Sequence, residues 1–249
     1  MAARKMIQVI DLHKSFGTNH VLRGIDLEVE EGSTCVILGG SGSGKTVLMK
    51  HVIGLLKPES GKALIEGEDI VPLGAEELAK VRMKFGMVFQ ASALFDSMTV
   101  YENVSFALRE HRKLSEAEMR RIVAEKLAIV GSKDIEDKYP ADLSGGMRKR
   151  VGLARSIVLD PKIVLYDEPT TGLDPITTEY VDEMILDAKK KLGVTSLVIS
   201  HDVASSFKVA DNVAFLSEGR IVEHGPPAQM RHSQQPMVKL FLQTWFGKN

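Results

Sequence analysis

Residues 39–46 have the sequence Gly39-Gly40-Ser41-Gly42-Ser43-Gly44-Lys45-Thr46. They follow an apolar run, Thr34-Cys35-Val36-Ile37-Leu38, that predicts a fully buried β-strand, and they precede a predicted helix from about Thr46 to Leu56. Glycines allow the backbone to curl so that successive N–H groups face phosphate oxygens, and the start of a helix adds the positive end of its dipole. The loop therefore predicts a phosphate-binding site.

The same loop fits the Walker A pattern, which requires a buried strand before it and a helix after it. In that pattern Lys45 reaches the β- and γ-phosphates of a nucleotide, and the Thr46 hydroxyl binds Mg²⁺. We expect the rest of the loop, together with Val47, to contact the nucleotide. The pattern alone does not choose among kinases, GTPases and transport ATPases, and a glycine-rich turn without a ligand is the alternative.

Two acidic residues end another apolar run. The predicted strand Ile163-Val164-Leu165-Tyr166 leads into Asp167 and Glu168, and α/β proteins place their ligands at such strand ends. Asp167 is therefore a candidate partner for Mg²⁺, directly or through water. Glu168 is a candidate general base that accepts a proton from the attacking water. The alternative is a pair of solvated acids.

A third motif, Leu143-Ser144-Gly145-Gly146-Met147, precedes a predicted helix with four basic residues between positions 148 and 155. Ser144 is a good N-cap, and the two glycines leave backbone N–H groups open at the helix start. This predicts a second anion site, which one nucleotide does not need on the same chain. The alternative is a capped helix with a solvated basic face.

In this order and spacing, the three motifs resemble the ATPases of the ABC transporter family. The resemblance extends roughly from Met6 to Gly225. The third motif ends in Gly-Met rather than the commoner Gly-Gln. Because the glutamine side chain is not the main phosphate contact in the family, we expect activity to be retained.

The resemblance implies roles for further residues. Phe16 resembles the aromatic residue that stacks on adenine, with Val21 beside the base. Gln90 resembles the Q-loop glutamine, which touches Mg²⁺ or water and senses the membrane subunit. Asp174 lies in a segment that resembles the D-loop, and His201 resembles the switch histidine that contacts the γ-phosphate. Core packing of Phe16 and a structural role for His201 are the alternatives.

The resemblance also implies an assembly and a mechanism. Two copies of the chain would form a head-to-tail homodimer with two ATP molecules at the interface, each on the Walker A loop of one copy and covered by Ser144, Gly145 and Gly146 of the other. Lys45, Mg²⁺ and His201 would stabilise charge while Glu168 activates water. The closing and reopening of this dimer would be passed to two copies of a polytopic membrane permease. The chain would therefore lie peripherally at the cytoplasmic face of the inner (plasma) membrane.

Within the family, the chain is similar to the ATPases of MCE-type lipid transporters. That similarity implies that the transported substrate is phospholipid. It also implies two further candidate partners, an MCE-domain substrate-binding protein and a small cytosolic accessory subunit. It is carried by the Gly-Met motif with Arg148 and Arg150, by Phe89-Gln90 running into Ala93-Leu94-Phe95, by Leu108-Arg109-Glu110-His111, and by Asp174-Pro175-Ile176-Thr177.

The composition and charge of the chain bear on its partners and on its compartment. The net charge of −1 gives no reason to expect a nucleic-acid partner. No apolar run reaches the roughly 18 residues that a membrane span requires, and residues 1–6 lack the apolar core of a signal peptide. The only cysteine, Cys35, lies in an apolar run and predicts a buried structural thiol. We therefore expect a cytosolic compartment.

The order of predicted elements indicates an α/β fold of the P-loop NTPase type, with a mainly parallel core sheet. Alternating runs at Ile7–Leu12 and Val21–Val29, around a turn at 17–19, predict an antiparallel piece at the N-terminus. We expect one ABC ATPase domain over residues 1–249, a helical lobe inserted at about 91–142, and a C-terminal helical extension at 226–249.

Two segments predict contacts with partners. Residues 91–100 follow Gln90 and carry Leu94, Phe95 and Met98, which is too apolar for a free loop and predicts a permease docking surface. The segment after Pro236 has apolar residues at near-helical spacing, which predicts either packing on its own domain or a grip on another chain.

Three alternative functions are open at this stage. The first is an importer of amino acids or other small solutes. The second is a soluble ABC ATPase of DNA repair or translation, although such proteins generally have long coiled-coil insertions or two fused ATPase domains. The third is a small-molecule kinase, which leaves the Ser144 motif unexplained.

Overall fold

A computed structural model of the chain describes residues 4–246, without the side chain of Phe246. The predicted domain begins with residues 1–3 and its C-terminal extension ends with residues 247–249. Both of these segments lie outside the described part of the chain. The described residues form two compact units: residues 4–82 with 195–246, and Met83–Val194.

The elements alternate between strands and helices, as the predicted α/β class requires. The strands are β1 (Lys5–Phe16), β2 (Asn19–Glu30), β3 (Thr34–Leu38), β4 (Ser60–Ile65), β5 (Glu68–Asp69), β6 (Phe85–Phe89), β7 (Ile163–Asp167), β8 (Thr195–Ser200), β9 (Asn212–Ser217) and β10 (Arg220–Gly225). The helices are α1 (Lys45–Val52), α2 (Ala75–Arg82), α3 (Val100–His111), α4 (Glu116–Ile129), α5 (Gly145–Ser156), α6 (Pro175–Leu192), α7 (Val203–Val209), α8 (Pro227–Arg231) and α9 (Pro236–Phe246).

The first unit contains the predicted antiparallel sheet. Its strand order is β2-β1-β4-β5, and β1 pairs antiparallel with both β2 and β4. Ile7, Val9 and Leu12 of β1 are buried, because the alternating pattern turns them toward the core. The turn between β1 and β2 contains Gly17 with a φ of 60°, a backbone conformation that favours glycine. The predicted antiparallel piece is confirmed.

The first unit also contains a parallel set of strands, in which β3 lies between β8 and β9. All five residues of β3 are buried, as its continuous apolar run predicted. β10 pairs antiparallel with β9 and forms a hairpin with it. Helix α9 packs Val238 and Leu242 onto the cluster around Phe215.

Helix α1 is shorter than predicted, since it ends at Val52 rather than Leu56. Gly54, two residues later, has a φ of 66°, which is the left-handed conformation that ends helices. A Cβ at Gly54 would lie 2.7 Å from Leu78 Cδ2. The helix therefore ends before Pro58, at a left-handed glycine against which Leu78 of α2 packs closely.

The second unit contains the parallel pair β6 and β7 and the helices α3 to α6. Side chains cap these helices: Ser115 accepts a hydrogen bond from the Glu118 amide in a capping box at the start of α4. Ser144 and Asp174 cap α5 and α6. α3 and α4 lie inside residues 91–142, the predicted helical lobe, whose boundaries stay a prediction. In the described part of the chain, no helix is both long and apolar enough to cross a membrane.

Candidate functional site

The glycine-rich loop joins β3 to α1 in the first unit, and two of its glycines have no room for a side chain. A Cβ at Gly39 would lie 2.2 Å from the Leu216 carbonyl oxygen. Gly44, the N-cap of α1, has a φ of 107°, and a Cβ there would lie 2.9 Å from Leu22 Cδ2. Only glycine therefore fits at these two positions, because the neighbouring strands approach the loop closely.

The lysine of the loop already lies against it. Lys45 is 6% exposed, and its Nζ donates to the carbonyls of Gly39 at 2.9 Å and Gly40 at 3.0 Å. The Ser43 hydroxyl is buried and has no hydrogen-bond partner among the described residues. A buried hydroxyl of this kind is costly unless something binds it, so it suits a ligand with acceptor oxygens. The Thr46 side chain is exposed and Val47 is half-buried.

Three further predicted site residues belong to the same unit. Leu38 of β3 pairs with Ser200 of β8, so the loop and His201 follow adjacent strand ends. The Val21 carbonyl oxygen would lie 3.2 Å from a Cβ on Gly44. Phe16 is 49% exposed at the end of β1, where the Lys14 ammonium lies 5.4 Å from its ring centre. The core-packing alternative for Phe16 is therefore wrong, and its stacking on adenine stays a prediction.

The second unit brings the acidic pair next to Gln90. Phe89 of β6 pairs with Asp167 of β7, so Gln90 and Glu168 follow adjacent strand ends. Glu168 has a φ of 49°, which is rare for a residue with a side chain. Its Oε2 accepts a hydrogen bond from Thr171 Oγ1 at 2.8 Å. The carboxylate is thus held in one orientation at the strand edge.

The Ser144 motif forms the start of α5. Ser144 Oγ accepts from the Met147 amide at 3.3 Å, which confirms the predicted N-cap. A Cβ on Gly145 or Gly146 would meet no described atom within 4 Å. This helix start is therefore open, and its backbone N–H groups give it a partial positive charge.

Asp174 caps α6 with both carboxylate oxygens. Oδ1 accepts from the amides of Ile176 and Thr177, each at 3.0 Å, and Oδ2 accepts from the Thr177 hydroxyl at 2.5 Å. These bonds, led by the one from the Thr177 hydroxyl, lower the pKa of Asp174. The structure thus assigns Asp174 a capping role, and its contact with a nucleotide stays a prediction.

Comparisons with known proteins agree with this geometry. The model of the ABC transporter family matches residues 22–171, which include the glycine-rich loop, the Ser144 motif and the acidic pair. The chain belongs to the ABC transporter family. As a member of that family, this ABC ATPase binds nucleotide and hydrolyses ATP, and the predicted fold class is confirmed.

Among its relatives is the "Probable ribonucleotide transport ATP-binding protein mkl" of Mycobacterium leprae, 46% identical over 95% of this chain and 68% of its own length. Another mycobacterial relative is covered over 66% of its length, so the ABC ATPase spans about two thirds of these proteins. The phospholipid transport ATP-binding protein MlaF of Haemophilus influenzae is 38% identical over 96% of this chain and 90% of its length.

A solved structure shows the fold directly. The ATP-binding cassette MJ0796, in a dimeric state bound to ADP and Pi, is 29% identical and has a TM-score of 0.79. The match covers 89% of this chain and 99% of MJ0796.

The family implies Mg²⁺, and the chemistry of the predicted ligands suits that ion. Thr46 offers a hydroxyl oxygen, Gln90 an amide oxygen and Asp167 a carboxylate oxygen. Mg²⁺ prefers such hard oxygen ligands, with few carboxylates and with phosphates in the remaining positions. Among residues 4–246, no group of three or more His, Cys, Asp or Glu side chains is placed to hold a metal ion.

One of the basic residues of α5, for which a solvated face was the alternative prediction, is buried. Lys149 of α5 is 7% exposed, and its Nζ donates to the carbonyls of Gln90 and, at 3.0 Å, of Pro169. The solvated-face alternative is therefore wrong at this position. The sequence holds no local signal for this burial, because Gly152 and Arg155, which follow Lys149 at intervals of three residues, do not mark an apolar face.

Proposed function

We propose that this chain powers a membrane transporter of phospholipid by hydrolysing ATP at a site shared between two copies of the chain. The ATPase part rests on the glycine-rich loop, with Lys45 against Gly39 and Gly40. The lipid part rests on the match to MlaF, which covers 96% of this chain and 90% of MlaF.

The site residues have distinct roles in this proposal. The loop amides and Lys45 hold the phosphates, Phe16 and Val21 hold the base, and His201 contacts the γ-phosphate. Glu168 takes the proton of the attacking water. Thr46, Asp167 and Gln90 hold Mg²⁺, which when bound neutralises charge on the phosphates.

The open start of α5 is the argument for a second copy. Gly145 and Gly146 face open space in the described chain, and a helix start of this kind attracts anions. In a head-to-tail dimer, this surface of one copy covers the phosphates held by the loop of the other. The dimeric state of the related cassette MJ0796 supports this arrangement.

A groove in the second unit is the proposed permease contact. It has a volume of about 200 Å³ and is lined by Phe89, Ser92, Ala93, Phe106 and Arg155, among others. Phe95 packs beside it, with its ring centre 5.3 Å from that of Phe106. Phe89, Phe95 and Phe106 are 42%, 39% and 37% exposed. Exposed aromatic side chains of this kind mark a docking site.

Asn103 holds this surface in shape. Its side chain is fully buried, accepts from the Phe95 amide at 2.8 Å and donates to the carbonyls of Phe95, Met98 and Thr99 at 3.0 to 3.1 Å. The segment that carries Phe95 is therefore a rigid turn rather than a free loop. A short helix of the permease, present in two copies, would bind here and place the chain at the cytoplasmic face of the inner membrane.

The experiment is co-purification of the tagged chain with its membrane partner, followed by mass spectrometry of bound lipid and a lipid-transfer assay. We expect a permease, an MCE-domain protein and phospholipid. Phe95→Asp should detach the permease and leave nucleotide affinity unchanged. Leu55→Asp, which changes a residue 54% exposed in the first unit, is the control and should keep the permease. Recovery of a solute-binding protein with an amino acid or a ribonucleotide, and no lipid, would overturn the lipid assignment.

A further inference from the structure

One face of α5 follows the backbone that comes after Gln90. Lys149, Gly152 and Arg155 are three residues apart and therefore share a face of the helix. Lys149 donates to the Gln90 carbonyl, and Arg155 donates to the Ala93 carbonyl. A Cβ on Gly152 would lie 3.1 Å from the Ser92 carbonyl oxygen. Helix α5 therefore contacts residues 90–93 through two cationic side chains and one close backbone approach.

The contacted backbone has an uncommon conformation. Ser92 and Ala93 have φ values of 63° and 48°. Residues with side chains keep such a conformation only where their surroundings hold it in place. Ser92 is 7% exposed, and its amide donates to the Phe89 carbonyl at 3.0 Å. The contacts from α5 provide the surroundings that hold this turn.

Lys149 also contacts the segment that follows the acidic pair. Its Nζ donates to the Pro169 carbonyl at 3.0 Å. Pro169 comes directly after Glu168, whose φ is 49°. A buried ammonium is stable only where acceptors surround it, and burial accordingly lowers the pKa of Lys149. The two carbonyls are those acceptors, so both segments are bound to one ammonium.

We propose that Lys149 is a positioning residue that fixes the Gln90 segment and the Glu168 segment to helix α5. Ser144 caps the start of α5. The Lys149 side chain therefore joins this open helix start to the Q-loop glutamine and to the candidate general base. A shift of any one of them then moves the other two. This inference rests on the proposed function for its catalytic consequence, but the physical linkage itself is independent of that function.

The test compares substitutions at two buried lysines of the same unit. Lys149→Met keeps the approximate length of the side chain and removes both hydrogen bonds. Lys149→Arg keeps the positive charge and several hydrogen-bond donors. Lys149→Gln is a second uncharged variant, to be used if the methionine variant does not fold. Lys126→Met is the matched control, because Lys126 is 5% exposed and its ammonium pairs with Asp160 at 2.5 Å instead of with the carbonyls that Lys149 contacts. Each full-length variant is measured for kcat, KM for ATP, Tm and backbone amide hydrogen exchange.

For Lys149→Met we expect kcat to fall about 30-fold with KM changed less than about 3-fold, because a small misplacement of a catalytic group is costly. Lys149→Arg should recover at least about a third of the wild-type kcat. Amide exchange at residues 91–93 and 170–171 should rise about tenfold or more in Lys149→Met and stay unchanged in Lys126→Met. Lys126→Met should lower Tm while kcat stays within about twofold of wild type.

Unchanged exchange at either segment in Lys149→Met, or in Lys149→Gln if that variant is used, would overturn the linkage. A kcat loss no larger than that of Lys126→Met would overturn its catalytic consequence. If the wild-type chain hydrolyses no ATP, the proposed function fails, and the exchange measurement still decides whether Lys149 joins the two segments.

Discussion

Leu38 and Ser200 are paired in the adjacent parallel strands β3 and β8. Both strands end at this pair, so the phosphate loop that starts at Gly39 and the candidate switch residue His201 leave neighbouring strand ends of one unit. Two residues 162 positions apart in the sequence thus meet at one edge of the sheet, where α/β proteins bind ligands.

Substitution of Lys45 and substitution of His201 should have different effects. Lys45→Ala should abolish ATPase activity and weaken ATP binding, because the β- and γ-phosphates lose their charge partner. His201→Ala should bind ATP with near-normal affinity and lower kcat about 100-fold or more, because its contact matters most as charge develops on the γ-phosphate. Equilibrium binding and steady-state hydrolysis separate the two. Near-normal turnover by Lys45→Ala would contradict the assignment of the loop.

Glu168→Gln should bind ATP and hydrolyse it at least about 100-fold more slowly, because the amide has the same shape but cannot take a proton. The substitution also removes a negative charge near the γ-phosphate, so an ATP-bound dimer should persist. Size-exclusion chromatography with ATP checks the dimer, and phosphate release checks the rate. Hydrolysis at the wild-type rate would exclude Glu168 as the general base.

Ser144→Arg should abolish hydrolysis and leave ATP binding to the same chain's phosphate loop intact. The reason is that Ser144 is predicted to contact the ATP held by the phosphate loop of the partner chain. The structure adds a cost, since the Met147 amide loses its cap, worth about 1 kcal/mol. A mixed dimer with Lys45→Ala in one chain and Ser144→Arg in the other should keep one intact site and measurable hydrolysis. An inactive mixed dimer would argue against sharing between chains.

Helix α9 has two apolar faces with different expected roles. Val238 and Leu242 are buried on the chain's own core, whereas Leu240 is 63% exposed. Leu242→Ala should therefore destabilise the chain by about 2–4 kcal/mol, by loss of burial and creation of a cavity. Leu240→Ser should change stability by less than about 0.5 kcal/mol. If α9 contacts another chain, Leu240→Ser should also weaken assembly of the complex, which mass photometry measures. Unchanged assembly would show that α9 packs on its own unit alone.

Acidification should destabilise the chain through His51. This side chain is 1% exposed, its Nδ1 donates to the Val47 carbonyl at 2.7 Å, and its Nε2 has no partner among the described residues. Burial lowers the pKa of His51 below its usual 6.5. The native state then binds a proton less readily than the unfolded state, so stability is lost as the pH falls below about 6.5.

The measurement is Tm as a function of pH between about 8 and 5. The Tm of His51→Leu should fall less steeply on acidification than that of the wild type. The pKa of His224 is also lowered, by partial desolvation of its ring, so part of the slope should remain. Parallel curves for the two proteins would contradict the role of His51.

Much of the fold followed from local patterns. The continuous apolar run of β3, the alternation in β1 and the cap at Ser144 all depend on residues close together in sequence, and all are confirmed. The same holds for Cys35, whose predicted burial is confirmed and raises the pKa of its thiol to about 12. Helix α7 was missed, because its seven residues are too few to show a periodic pattern, although Asp202 caps it.

The sequence by itself determined that the glycine-rich loop and Glu168 follow the ends of buried strands, because caps and apolar runs act over a few residues. Only the tertiary structure decided that α1 ends at Val52, that Glu168 has a positive φ, and that Lys149 is buried between two carbonyls. These features depend on atoms supplied by distant segments: Leu78 against Gly54, and the Gln90 and Pro169 carbonyls against Lys149. A pattern of neighbouring residues carries no information about which carbonyl a lysine will reach once the chain has folded.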